Sequence, residues 1–78
     1  MSDLSKRVLS ALMVLGAQAP EKAMTLEELS ARLGLKLEET QSEVLGLVRA
    51  GYAKEEAGPG SRVYLTGTGI ITASSTYS

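Results

Sequence analysis

The amino-acid sequence predicts a mainly helical domain with a small β-hairpin, an α+β fold of three helices and two strands. Before Gly51, apolar residues recur at three- and four-residue spacing through three successive segments, the periodicity of helices that pack by one face. After Gly51 the spacing changes, and two short strand-like runs flank a Gly-Pro-Gly insert that is typical of a hairpin loop. The chain has 78 residues, so a single domain over residues 1–78 is expected.

The first helix is expected over residues 3–18. Ser2 or Asp3 can cap its start, and Gly16 followed by Pro20 marks its end. The apolar stripe that predicts it comprises Leu4, Val8, Ala11, Leu12 and Leu15.

Two further helices are expected within residues 25–50. Thr25 lies three residues before Glu28, the arrangement of a capping box, and the second helix stops at Gly34. The third helix is expected over residues 38–50. Its inward face is predicted to comprise Thr40, Val44, Leu47 and Val48.

A hairpin and a tail complete the predicted fold. Strands are expected over residues 52–56 and 62–66, joined through the Gly-Pro-Gly insert. Residues 67–78 are rich in Gly, Thr and Ser, which are poor helix formers, so this tail is predicted to be weakly structured. Ile70 and Ile71 are expected to touch the core.

The composition excludes much of the usual chemistry of proteins. The chain has neither Cys nor His, which excludes a zinc finger, a disulfide framework, a thiol nucleophile and an imidazole base. We therefore expect no catalytic residue, no metal, no cofactor and no enzymatic activity. The longest apolar run, residues 11–15, is far shorter than the ~20 residues of a membrane span, so a cytoplasmic protein without a membrane partner is expected.

The order helix, helix, turn, helix, hairpin resembles the winged helix-turn-helix superfamily, which includes MarR-like, PadR-like and ArsR-like transcriptional regulators. The matching features are a small residue in the second helix (Ser30 or Ala31), the turn glycine Gly34, the apolar Val44 and Leu47, and Ala50-Gly51 before the first strand. Tyr64-Leu65-Thr66 followed by Gly69 is similar to the wing ending of MarR-like and PadR-like regulators. The resemblance covers residues 4–70. It implies a first helix with connector (1–24), a helix-turn-helix (25–50), a wing (51–66) and a tail (67–78).

This resemblance implies a transcriptional regulator whose partner is double-stranded DNA. The third helix would enter the major groove, and the wing would lie over the backbone or the minor groove. An amide or a hydroxyl suits base edges because it can donate and accept there, whereas cations suit phosphates. The residues expected to bind DNA are Lys36, Gln41, Ser42, Arg49, Lys54 and Arg62.

An acidic third helix leaves a second function open. Residues 25–56 carry four basic and seven acidic side chains, whereas a DNA binder normally has a basic reading face. Part of this excess is ordinary helix chemistry, because carboxylates favour the first turn. The alternative is a winged-helix protein-interaction module of a transcription, replication or degradation assembly, with Leu45, Glu38 and Glu39 meeting the protein partner. Leu45 can equally meet a thymine methyl, or be an exposed leucine without a role.

The first helix has more apolar residues than one core-facing stripe requires. Leu9 and Met13 lie one turn apart, off the main stripe. Two interpretations stay open. The pair forms the interface of a homodimer, extended by Val14 and the tail around Ile70, or it packs under the hairpin or tail of its own chain.

Overall fold

The computed structural model describes residues 1–56 and 60–77. Within these residues it contains four α-helices, a 3-10 helix over Pro20–Lys22 and a three-stranded antiparallel sheet. The helices are α1 (Asp3–Val14), α2 (Leu26–Leu33), α3 (Leu37–Arg49) and α4 (Gly67–Tyr77), and the strands are β1 (Met24–Thr25), β2 (Ala53–Glu56) and β3 (Arg62–Leu65). The predicted fold class is confirmed, with one helix and one strand more than expected. The predicted Gly-Pro-Gly loop lies partly outside the described residues.

Helix α1 begins as predicted, with Ser2 as its N-cap residue, but it ends at Val14 instead of residue 18. Gly16 adopts a left-handed conformation with φ 79°. The N–H of Ala17 then donates to the carbonyl of Leu12 at 2.9 Å, so the chain turns away from the helix axis. The glycine therefore ends the helix earlier than the sequence pattern indicates.

In the helix-turn-helix unit, α2 begins and ends at the predicted capping residues. Thr25 Oγ1 accepts a hydrogen bond from the Glu28 N–H at 3.1 Å, and the Glu28 carboxylate accepts from the Thr25 N–H at 3.2 Å, which is the capping box. Gly34 ends α2 with φ 66°, in the left-handed region where a side chain would be strained. The inward face of α3 is confirmed, with Thr40, Val44 and Leu47 buried and Val48 half-buried.

The sheet has the strand order β1-β3-β2. The sequence does not predict strand β1, because two residues are too short to show an alternating pattern. Met24 pairs with Val63 and Thr25 pairs with Arg62, so β3 is the central strand. The residue that caps α2 thus also belongs to the sheet, which ties the hairpin to the helix-turn-helix unit.

Helix α4 corrects the prediction of a weakly structured tail. Thr66 caps the helix, since its Oγ1 accepts from the Gly69 N–H at 3.0 Å and donates to the Gly51 carbonyl at 2.6 Å. Gly69 is buried, and a Cβ at this position would overlap the carbonyl oxygen of Tyr52. These local contacts, together with packing of α4 against α1 and β3, outweigh the poor helix propensity of the segment.

One hydrophobic core joins the helices and the sheet. It comprises Val8, Leu9, Leu12, Ala17, Leu26, Leu29, Val44, Leu47, Ala53, Val63, Leu65 and Ala73. Ile70 packs against this core as expected, whereas the prediction for Ile71 is wrong because its side chain is 71% exposed. Among the helices of the described ranges, none combines the length and the apolar character needed to cross a bilayer.

Candidate nucleic-acid interface

Helix geometry indicates which residues of α3 face outward from the helix-turn-helix unit. At about 100° per residue, the positions opposite the buried Thr40, Val44 and Leu47 fall on one side of the helix. The exposed residues on that side are Glu38, Glu39, Gln41, Ser42, Leu45, Gly46 and Arg49. Gln41 and Ser42, both predicted to contact base edges, thus share one exposed face with Arg49.

Two of the three carboxylates of α3 are engaged within the protein. The Glu39 carboxylate accepts from the Lys36 N–H at 3.1 Å at the start of the helix. Glu43 is half-buried, and its carboxylate accepts from the Ser5 hydroxyl of α1 at 2.7 Å. Within the described residues, Glu38 is the α3 carboxylate without such a hydrogen bond. Both donors are neutral, so the carboxylates keep their charge, and the outward face of α3 carries the exposed Glu38 and Glu39 while Glu43 is half-buried beside α1.

Two exposed cations bracket the α3 surface. Lys36 is the residue that precedes α3, and Arg49 is its last residue. At 1.5 Å per residue they are separated by roughly 20 Å along the helix. The side chains between them on the outward face carry two negative charges, those of Glu38 and Glu39.

Helix α1 packs against both helices of the helix-turn-helix unit. In addition to the Ser5–Glu43 hydrogen bond, the Arg7 guanidinium donates to the Leu33 carbonyl at the C-terminal end of α2, at 3.1 Å. A cation at this position also suits the negative end of the helix dipole. The first helix thereby contacts both α2 and α3 through polar groups as well as through the core.

The outer face of the wing carries both basic and acidic side chains. Lys54 lies across from Tyr64, and Glu56 lies across from Arg62, on the side of the hairpin opposite to the buried Ala53, Val63 and Leu65. Both predicted wing cations, Lys54 and Arg62, are exposed and belong to this outer face. Arg62 thus has an acidic neighbour on the facing strand.

Glu28 is a second carboxylate in the surroundings of Arg62. The Thr25 hydroxyl donates to it at 2.9 Å and is the main reason why the pKa of Glu28 lies below its ordinary value of 4.5. The Thr25 N–H and the positive charges of Arg62 and Arg32 act in the same direction. The start of α2 and the wing are therefore coupled electrostatically.

The predicted dimer interface needs correction. Leu9 is 0% exposed and belongs to the core of its own chain, so it is not accessible to a second copy. Met13 is half-buried against the same core, and its carbonyl accepts from the Gln18 side chain at 3.2 Å. Three other apolar side chains near the end of α1 and on α4 are the exposed ones: Val14, Leu15 and Ile71.

Sequence patterns do not single out Gly46 and Leu37 as surface features. Leu37 is 39% exposed at the start of α3, and Gly46 is exposed in the second half of the helix. For Gly46, the glycine itself is the signal that the sequence contains, because a glycine inside a helix costs stability relative to alanine. The sequence places Leu37 in the turn before α3, because the predicted start of the helix, residue 38, is one residue too late.

Over residues 1–56 and 60–77 the structure has no detectable cavity and no group of three or more acidic side chains that can hold a metal ion. The exposed face of α3 and the β2–β3 hairpin together form the surface we call the reading surface.

The helix-turn-helix of α2 and α3, backed by α1 and flanked by a β-hairpin, is the winged helix-turn-helix fold. Scans of protein-family models and of curated proteins find no match to the chain. Solved structures with the same fold include TubR from Bacillus megaterium pBM400, with a TM-score of 0.89 and 17% identity over 99% of this chain and 87% of that one. A Ralstonia eutropha JMP134 protein, described as a candidate DNA-binding protein, has a TM-score of 0.87 and 19% identity over 100% of this chain and 99% of its own.

A variant of MarR from E. coli complexed with operator DNA has a TM-score of 0.82 and 21% identity over 99% of this chain. The chain spans about half of that protein's length, since 54% of the MarR chain is covered. The resemblance to winged-helix regulators is confirmed at the level of the fold.

Proposed function

We propose that this chain is a small winged-helix DNA-binding transcriptional regulator without enzymatic activity. Helix α3 enters the major groove of double-stranded DNA, and the β2–β3 hairpin lies over the adjacent backbone. The observation that carries this proposal is the outward face of α3, which is exposed and has cations at both ends, while Glu43 is half-buried and accepts from Ser5 of α1. The solved structures of the same fold add support, because one of them, that of the E. coli MarR variant, is a complex with operator DNA.

The dimensions of α3 suit a major groove. The groove is about 12 Å wide, and phosphates line both of its edges. Lys36 and Arg49, roughly 20 Å apart along the helix, can each reach one edge while the residues between them face the bases. Gln41 and Ser42 are the base-contacting residues in this arrangement, because each can donate to and accept from a base edge.

The wing contributes Lys54 and Arg62 as phosphate contacts. Arg62 has Glu56 on the facing strand and is attracted to Glu28, so these carboxylates compete with a phosphate for its guanidinium. Arg62 therefore contributes less binding energy than an isolated wing arginine. Lys54, which lies across from the uncharged Tyr64, has no such competitor on the facing strand.

The test is selection of duplexes from a random-sequence library by the full chain, followed by titration of the enriched duplex at two salt concentrations. Each phosphate that a cation neutralises contributes about −0.9 to the slope of log affinity against log salt. Arg49→Ala and Lys54→Ala should each reduce that slope by about one, and Gln41→Ala should change base preference. Lys6→Ala, an exposed cation of α1, is the matched control and should leave the slope unchanged. Failure to enrich any duplex, with no salt-dependent binding, overturns the proposal.

A protein-interaction module is the second candidate function. The exposed Glu38 beside the 44% exposed Leu45 favours it, since an acidic and apolar patch fits a basic protein surface. Glu39 fits this role less well than the sequence indicates, because its carboxylate already accepts from the Lys36 N–H. Under this alternative, Glu38→Gln would weaken a protein complex through a slower on-rate at low salt and would leave DNA binding absent.

A homodimer is part of the proposed function, with its interface on α1 and α4 instead of at Leu9. The exposed fractions are 62% for Val14 and 71% for Ile71, and residues 63–78 contain no charged side chain. Several Ser and Thr hydroxyls of α4 already donate to carbonyls one turn back, so their burial would leave few polar groups unpaired. Sedimentation should give a dimer for the wild type and a folded monomer for the double change Val14→Glu and Ile71→Lys. A wild-type monomer at high micromolar concentration contradicts it.

A further inference from the structure

Two neighbouring residues in the middle of the reading surface, Leu45 and Gly46, are exposed. Leu45 is 44% exposed on α3. Gly46 lies inside the same helix, its φ is not in the left-handed region, and a Cβ at this position would meet no atom within 4 Å. Alanine would fit there and is a far better helix former than glycine. The fold alone therefore does not require glycine at this position.

Leu45 and Gly46 lie at the centre of the exposed face. On a helix, Leu45 is next to Gln41 and Ser42 on one side and Arg49 on the other, at spacings of three and four residues. None of the side chains between Glu39 and Arg49 on this face is charged. The centre of the α3 surface is thus uncharged and, at Gly46, bare of any side chain, while cations lie at its ends.

We propose that Leu45 is a specificity-determining residue that contacts the C5-methyl group of a thymine in the major groove, and that Gly46 lets the helix backbone approach the DNA closely enough for this contact. The inference rests on the proposed DNA-binding function and deepens it. The thymine methyl is the apolar group of the major-groove base edges, whereas guanine, adenine and cytosine present hydrogen-bonding groups that a leucine would leave unpaired.

Duplex DNA fits this surface better than a protein partner does. A stable protein interface buries at least about 1,200 Å² around a cluster of apolar anchors. The exposed face of α3 offers Leu45 alone, because the other exposed leucine of the helix, Leu37, is eight residues and roughly 12 Å away and lies beside the buried face. A single leucine with cations at both ends of the helix matches a groove that has methyl groups at its floor and phosphates along its edges.

The experiment uses the full chain and a duplex enriched from the random library, in which each thymine is replaced in turn by deoxyuridine. Deoxyuridine lacks the methyl group and keeps the base-pairing edge. In the wild type, one or two replacements should weaken binding by about fourfold each, the effect of losing one buried methyl. Leu45→Ala should remove this discrimination, and Leu45→Met, which keeps an apolar side chain of similar size, should retain it.

Gly46→Ala tests the close approach separately. It should raise the thermal stability of the chain and still weaken binding to the enriched duplex by about tenfold, through a steric overlap of ~1.4 kcal/mol. Gly67→Ala is the matched control, because Gly67 is also an exposed helical glycine beside which a Cβ would meet open space, but it lies on α4. It should leave affinity unchanged.

The inference and the proposed function fail differently. If no duplex is enriched, the proposed function fails and the inference fails with it. If a duplex is enriched but every thymine tolerates replacement, or if Leu45→Ala keeps the discrimination, the inference alone is wrong. Loss of a protein complex in Leu45→Ala with DNA binding intact also overturns it, and assigns Leu45 to a protein partner.

Discussion

Gly69 is the residue at which α4 comes closest to the segment before the wing. A side chain there would overlap the carbonyl oxygen of Tyr52, to which the Thr66 N–H also donates at 3.0 Å. Gly69→Ala must therefore displace backbone, not a flexible side chain, and should lower the free energy of unfolding by about 1–3 kcal/mol. Urea denaturation measures this effect. Gly67→Ala, two residues earlier and in open space, should leave the free energy of unfolding unchanged. Equal stability of the two variants would contradict the close contact between Gly69 and the Tyr52 carbonyl.

Glu28 gives the stability of the chain a defined dependence on pH. Its pKa in the folded chain is lowered from 4.5, chiefly by the hydrogen bond from the Thr25 hydroxyl. A lowered pKa means that the ionised carboxylate stabilises the fold above pH 4.5, and that this contribution is lost as the pH falls through the lower, folded-state pKa. The neutral Glu28→Gln variant should therefore melt below the wild type at neutral pH, and the difference should vanish in acid.

Thermal unfolding of Glu28→Gln and wild type across this pH range is the measurement. The matched control is Glu27→Gln, a neighbouring exposed glutamate of the same helix turn that lacks a hydrogen bond to Thr25. Its difference from the wild type at neutral pH should be smaller. A deficit of Glu28→Gln that persists unchanged in acid would argue against the lowered pKa.

At the scale of the secondary-structure elements, helices with strong local signals could be predicted and the remaining elements could not. Helix α2 has a capping box at Thr25 and a left-handed glycine at Gly34, so its bounds follow from short-range chemistry. Strand β1 exists because Met24 and Thr25 pair with β3, a partner more than thirty residues away. Such a pairing leaves no local pattern in two residues.

Helix α4 shows how packing can override propensity. Its Gly, Thr and Ser residues disfavour a helix, and composition alone therefore predicts a weakly structured tail. The signal in favour of the helix is Thr66, an N-cap residue three positions before Gly69, where backbone has to approach backbone. For a similar reason, the sequence does not decide whether Leu9 lies in the core. Which apolar stripe of α1 is covered depends on how the other elements pack against the helix.

Ala73 tests whether α4 is docked as the structure has it. The side chain is 0% exposed within the core, so Ala73→Leu would overpack it and should cost about 1–3 kcal/mol in the free energy of unfolding. Thr76→Leu, at an exposed position of the same helix, is the control and should be nearly neutral. If the two variants unfold at the same urea concentration, the tail is not packed against the core.

For the whole molecule, the distribution of charge matters more for recognition than the net charge of −1. The sequence identifies which residues of α3 face outward, because helix periodicity decides that. It does not reveal that the Glu43 carboxylate is held by Ser5, a residue 38 positions earlier in the chain. This contact leaves Glu38 and Glu39 as the exposed negative charges of α3 between Lys36 and Arg49.

Glu38 therefore separates the two function classes. If α3 lies in the major groove, Glu38 opposes the approach of phosphates, and Glu38→Gln should raise affinity for random duplex DNA by about fivefold at low salt. This corresponds to ~1 kcal/mol, the energy of two unit charges 4 Å apart in water. The gain should shrink as salt increases, because screening weakens the same repulsion.

The control for Glu38→Gln is Glu21→Gln, which makes the same change in net charge at an exposed position of the Pro20–Lys22 turn. Because both variants have a net charge of zero, a general electrostatic effect would raise their DNA affinity equally. A gain confined to Glu38→Gln would come from a charge close to the phosphates, as the major-groove position of α3 requires. Equal affinities of both variants and the wild type would instead mean that α3 does not face the DNA, and the acidic side chain would then be assigned to a basic protein partner.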